Sequence, residues 1–180
     1  MEQIGNSIKG IYRDILKNSD NIVIYDSGWR SNIIVNSCRM LLAAFMKNEK
    51  AIGIRSLKVG KGDPSWDING TPAPDAGITA LLDPSPYVVP VEKLVIDYLD
   101  ENDEVVPGPS ARLQVSVVLG QDQPPAVAPL SSYPMREFGI FAQYTDNLGK
   151  VNEFMIDCIR HTVINKDVTA RLERAVKLYF

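Results

Sequence analysis

The chain has 180 residues, 45% of them hydrophobic and 23% charged, which suits one domain able to bury its own core. Its 19 basic residues are scattered among 22 acidic ones, for a net charge of -3, so it lacks the basic patch that nucleic-acid binding needs. No apolar run approaches the roughly 20 residues of a membrane-spanning helix.

Met1 to Asn6 has no basic start followed by an apolar stretch and does not read as a secretory signal. Ile8 to Leu16 and Asn21 to Ser27 are apolar-rich runs on either side of the polar cluster Lys17-Asn18-Ser19-Asp20-Asn21, a pattern that predicts a β-hairpin. Gly28 ends the second strand, and Trp29 to Asn32 forms a corner. The period then changes. Val35, Cys38, Leu41, Leu42 and Phe45 recur at steps of three and four, which places them on one face of a helix. Asn32 or Asn36 is the candidate cap, and Lys47-Asn48-Glu49-Lys50 closes the helix.

Ile52 to Val59 returns to strand-like alternation, with Ile52, Ile54, Leu57 and Val59 directed at the core. Gly60-Lys61-Gly62-Asp63-Pro64 ends that strand. Residues 60–90 hold Pro72, Pro74, Pro84, Pro86 and Pro90 and read as a long loop or arm with a short helix at Gly77 to Leu82, because each proline removes a ladder donor. Leu94 to Leu99 and Ala111 to Leu119 read as partner strands, with the acidic run Asp100 to Glu104 at the turn between them. In the second, Ala111, Leu113, Val115, Val117 and Leu119 alternate with Arg112, Gln114 and Ser116, the pattern of a half-buried strand. A second Pro-rich loop covers 120–134. Strands are predicted at Glu137 to Gln143, Asn152 to Ile164 and Arg171 to Phe180, with Asn147-Leu148-Gly149 as a turn. In the last, Leu172, Val176, Leu178 and Phe180 share a face that Arg174 interrupts. The expected fold is mainly β (α+β): an antiparallel β-sandwich-like single domain over 1–180 with one helix in its N-terminal half.

Catalytic templates fail at named residues. His161 is the one histidine, and with Cys158 it supplies half of a zinc site; zinc takes about four ligands and only Cys38 remains. Cys158 and His161 sit three apart, which on a strand puts them on opposite faces. Both cysteines therefore read as free buried thiols of a protein made in a reducing cytoplasm. Asp26-Ser27-Gly28 lacks the nucleophile elbow, since Tyr25 occupies the first glycine position. Gly60-Lys61-Gly62-Asp63 is too short for a phosphate loop and reads as a strand-exit turn. Counting from Asp100, Val105 and Ala111 stand where a calcium loop needs Gly and Glu. The chain is expected to have no cofactor, no metal and no catalytic residue. Trp66 and Tyr87 lie in or beside the first Pro-rich loop, and the chain ends on Tyr179-Phe180. These four are the candidate assembly contacts. Trp29, Trp66 and Tyr87 are also the candidate stacking platforms of a carbohydrate- or small-ligand-binding domain.

Ile22-Val23-Ile24-Tyr25-Asp26-Ser27-Gly28-Trp29 with Asn32-Ile33-Ile34-Val35 resembles the opening of tail-associated phage proteins. Ile54 to Gly62 resembles their strand ending in Val-Gly-x-Gly. Met135-Arg136-Glu137-Phe138-Gly139-Ile140-Phe141 resembles the Arg-Glu-Phe/Ile-Gly-Leu-Phe strand of tail-collar fibre and related tail or baseplate proteins. The resemblance implies a non-catalytic virion component, made in the bacterial host cytoplasm and assembled as a homo-oligomer with other tail, baseplate or neck proteins. The chain lacks the long repetitive shaft of a tail fibre, which favours a compact adaptor.

Overall fold

In the computed structural model, residues 8–47, 49–146 and 148–180 are described. The hairpin forms from β1 (Lys9–Lys17) and β2 (Val23–Asp26), which pair antiparallel. β3 (Arg30–Ser31) pairs with the earlier part of β1, and β4 (Ile33–Ile34) crosses to a second sheet. The helix α1 (Asn36–Met46) follows. It has no side-chain cap. Val35 stands at the cap position, the Asn36 backbone N–H donates to Ala76 O, and the Asn32 amide is drawn away to Asp157. Neither asparagine therefore caps the helix. Asn48 and Asn147 lie outside the described residues, as does the Ile52 side chain.

β5 (Lys50–Gly60) is followed by the first Pro-rich segment. Its helix, α2 (Trp66–Asn69), lies earlier than Gly77 to Leu82, which forms only turns. The segment ends in β6 (Tyr87–Pro90), which pairs with β5. A ladder therefore does form within the Pro-rich run: β6 is an edge strand, so Pro90 needs no donor on its outer side. β7 (Val95–Leu99) has two partners, β8 (Val105–Val106) across the acidic turn and β9 (Arg112–Leu119). β10 (Ser132–Thr145) starts inside the predicted second loop. The predicted 152–164 strand is two, β11 (Val151–Met155) and β12 (Asp157–Asp167), both beside β10 and broken at Ile156. β13 (Arg171–Tyr179) completes the chain.

Two antiparallel sheets result. The first runs β2-β1-β13-β9-β7-β8, with β3 on the β2 side; the second runs β4-β12-β10-β5-β6, with β11 beside β10. They pack as a sandwich, the arrangement that buries one face of each sheet. From the first come Tyr12, Leu16, Val115, Val176 and Leu178; from the second come Leu57, Val59, Phe138, Ile140 and Ile159. β10 is buried from Tyr133 to Ala142 on both faces. Its other face lies under the first Pro-rich segment, where Leu81 and Ile78 pack with Phe141, Val35 and Cys158 in a second, smaller cluster. That segment lies along the sheet and forms part of the fold. Cys38 and Cys158 are free and buried.

Candidate functional site

Three places in the sandwich collect chemistry. The first is ionic and lies in the core. Asp14 on β1 and Arg174 on β13 are register partners on the inward face, where alternation supplies apolar residues elsewhere. Arg174 Nε donates to Asp14 Oδ1 at 2.6 Å and Nη2 to Oδ2 at 2.8 Å. Both side chains are fully buried. The guanidinium also lies 3.5 Å from the centroid of the Phe138 ring. His161 on β12 faces it from the opposite sheet, with Nε2 3.4 Å from Arg174 Nη2 and Nδ1 2.7 Å from Thr162 O. Burial, reinforced by the guanidinium, pulls the imidazole down to about 4. A neutral ring whose Nδ1–H donates to Thr162 O satisfies this geometry.

Asp157 stands at the start of β12. Its Oδ1 accepts from the Ile140 backbone N–H at 2.7 Å and its Oδ2 from Asn32 Nδ2 at 2.8 Å. Complete burial pushes its carboxyl up to about 7, against those two donors. Cys158 points the other way, into the cluster beneath the Pro-rich segment, while His161 packs against Phe138. The two residues thus occupy opposite faces of β12. Among the described residues, no group of three His, Cys, Asp or Glu side chains is arranged to hold a metal ion. No helix among them is long and apolar enough to cross a membrane.

The second place is a cleft of about 430 Å³ where α1 stands off from the first sheet. Its floor is Cys38, Ile156 and Leu178; its mouth is framed by Phe45, Ile96, Tyr98 and Phe180. Ile96 and Tyr98 pair with Val115 and Leu113, so they point inward, yet each is 38% exposed. The cleft is the reason. Sequence periodicity places Leu41, Leu42 and Phe45 on one face of α1 but does not reveal that this face only partly meets β7.

The third place is the outer face of the first sheet. Trp29 is exposed there, with Lys177 Nζ 4.6 Å from its ring, beside Arg13, Glu173 and a shallow pocket of about 310 Å³.

The predicted contacts are spread over the molecule. Trp66 is 7% exposed, packed by Arg160 at 5.1 Å and by the close approach of Gly62, whose φ of +56° makes the strand-exit turn. Tyr87 is half-buried on edge strand β6. Tyr179 is half-buried, and its hydroxyl donates to Asp103 Oδ2 at 3.2 Å. Phe180 is exposed at the cleft mouth. Asp103 also pairs with Lys177, so the acidic turn is tied to β13.

No protein-family model matches this chain, and no curated protein and no solved structure matches it.

Proposed function

We propose that this chain is a structural component of a phage or phage-like particle, an adaptor of the tail, baseplate or neck that works by oligomeric assembly and not by catalysis. One observation carries the reading. β2 closes one edge of the first sheet, and Ile22, Val23 and Ile24 on and beside it are 59%, 51% and 57% exposed. An edge strand leaves a row of backbone donors and acceptors unpaired, and monomeric proteins blunt such edges with lysine, proline or cover. This run has neither lysine nor proline, and backbone pairing with a further strand suits it. α1 adds support: Arg39 is its one charged residue, and Met40, Phe45 and Met46 are exposed. The three tail-protein-like motifs supply the particle type.

The test is fractionation of native particles from the source, with mass spectrometry and labelling in electron micrographs. The chain should co-sediment with the particle at a fixed, symmetric position. A chain absent from every particle and monomeric when purified ends the reading.

A small-ligand-binding domain is the second reading, and the apolar cleft favours it. Trp66 is too buried to serve it as a stacking platform.

A further inference from the structure

We infer that the cleft between α1 and the first sheet is a binding site for one uncharged, chain-like apolar molecule, of the class of a long-chain alcohol or ester, held with its polar end at the mouth. This goes beyond the assembly reading and does not depend on it.

The geometry argues for a site with depth. Cys38, Ile156 and Leu178 are nearly inaccessible and form a floor, while Phe45, Ile96, Tyr98 and Phe180 are progressively exposed toward solvent. The volume, about 430 Å³, lies within the range of small-molecule sites. A cavity of about 150 Å³ with a similar lining already takes up benzene, so a molecule roughly two to three times that size fits here.

The lining selects the class. Among the described residues no charged side chain lines the cleft, so a buried carboxylate or ammonium would find no ionic partner among them, at large cost. The Cys38 thiol is no exception, because burial pushes it up to about 11 and keeps it neutral. Among the described lining residues Tyr98 supplies the one side-chain hydroxyl, and it stands at the mouth. That places the polar end of the ligand. An extended peptide suits the cleft poorly. Its backbone needs partners, and the residues of the central strands that line the cleft, Leu113 on β9 and Leu178 on β13, have strand neighbours on both sides.

The experiment uses the whole chain and the neutral dye N-phenyl-1-naphthylamine, whose fluorescence rises in apolar surroundings. The dye should saturate at one site per chain. 1-Dodecanol should displace it, and dodecanoate at pH 8 should need at least about tenfold more. Ile96→Trp fills the mouth from β7 and should weaken dye binding at least about tenfold. Leu42→Trp fills it from α1 and keeps the test if the first variant fails to fold. Met40→Trp, on the exposed side of the helix, should leave binding unchanged. The inference falls if the dye gives no saturable signal, if dodecanoate competes as well as dodecanol, or if folded filling variants bind like the parent. It also falls if dye binding disappears as protein concentration rises, for then the occupant is a second copy of the chain.

Discussion

Arg174 brings a charge into the centre of the sandwich, and Asp14 is the group that neutralises it there. Desolvation of two such ions nearly cancels their attraction, so the pair adds little net stability, but either ion alone is costly. Asp14→Asn or Arg174→Met should each lower unfolding free energy by about 3–5 kcal/mol, whereas Asp14→Leu with Arg174→Met should recover most of that loss; urea unfolding of the three variants checks it. The break in alternation at Arg174 is visible in the sequence, and so is Asp14 between Tyr12 and Leu16 on one parity. Their partnership is not, because 160 residues separate them and sequence does not pair strands. Asp157 and His161 set opposite pH dependences. His161 has its folded value lowered from 6.5 to about 4, so the folded state binds fewer protons and loses stability as pH falls from 6.5 toward 4. Asp157 has its folded value raised from 3.8 to about 7, so it favours the folded state less as pH rises across that window. At about 1.4 kcal/mol per unit these amount to about 3 and about 4 kcal/mol and largely offset. The parent protein should therefore have a nearly flat stability between pH 4 and 6.5, and Asp157→Asn should become steeply less stable toward pH 4. Urea midpoints at the two ends of the window decide this. The Asn32 amide can turn to serve the variant, since its Oδ1 has no partner among the described residues.

At the scale of elements, the first Pro-rich segment is held to the second sheet by carboxylates. Glu137 is fully buried and accepts from the backbone N–H groups of Leu82 and Asp83, at 3.1 and 2.7 Å. Asp83 in turn accepts from the Lys61 N–H at 2.8 Å. Arg136 anchors the other end through Asp67, at 2.9 and 2.6 Å. Prolines deprive a segment of its own ladder, and here side chains of β10 serve its remaining donors. Glu137→Ala leaves two donors unserved and should cost about 2–4 kcal/mol. Hydrogen exchange should rise across 61–86 while β9 and β13 keep their protection; uniform exchange throughout the chain would show that Glu137 does not act locally. The strands and α1 were legible because alternation and the three-to-four step follow directly from which faces are buried. The packing of the Pro-rich segment was not, because it rests on a glutamate 54 residues away and on a second apolar cluster without local periodicity. The split at Ile156 was hidden too: apolar residues continue through the break, and the bend arises where its N–H donates to Ile140 O.

For the whole molecule, the sandwich class was legible from the many short alternating strands, whereas strand order was not. The chain crosses between sheets after every third strand (β1–β3, β4–β6, β7–β9, β10–β12), and β13, last in the described order, lies between β1 and β9. That placement seals the interior of the first sheet and leaves the edges of both sheets to deal with solvent. β8 has only two residues, and β6 ends in Pro90. Both offer a neighbour little ladder. β2 offers more: an apolar stretch, an open side, and one nearby ion pair, Arg13 with Asp26, that leaves no unpaired charge at its end. If assembly proceeds through this edge, two copies meet with like apolar residues opposed, and lysine there places positive charges face to face. Ile22→Lys with Ile24→Lys should weaken self-association at least about tenfold, read by light scattering over a concentration series. The substituted side chains are solvent-exposed, so the fold itself should change by no more than about 0.5 kcal/mol. Val118→Lys, exposed on a strand with neighbours on both sides, supplies the same charge without touching an edge and should associate like the parent. Equal weakening by both changes would make net charge the cause. Loss confined to the β2 variant would make the open edge the joint through which this chain assembles.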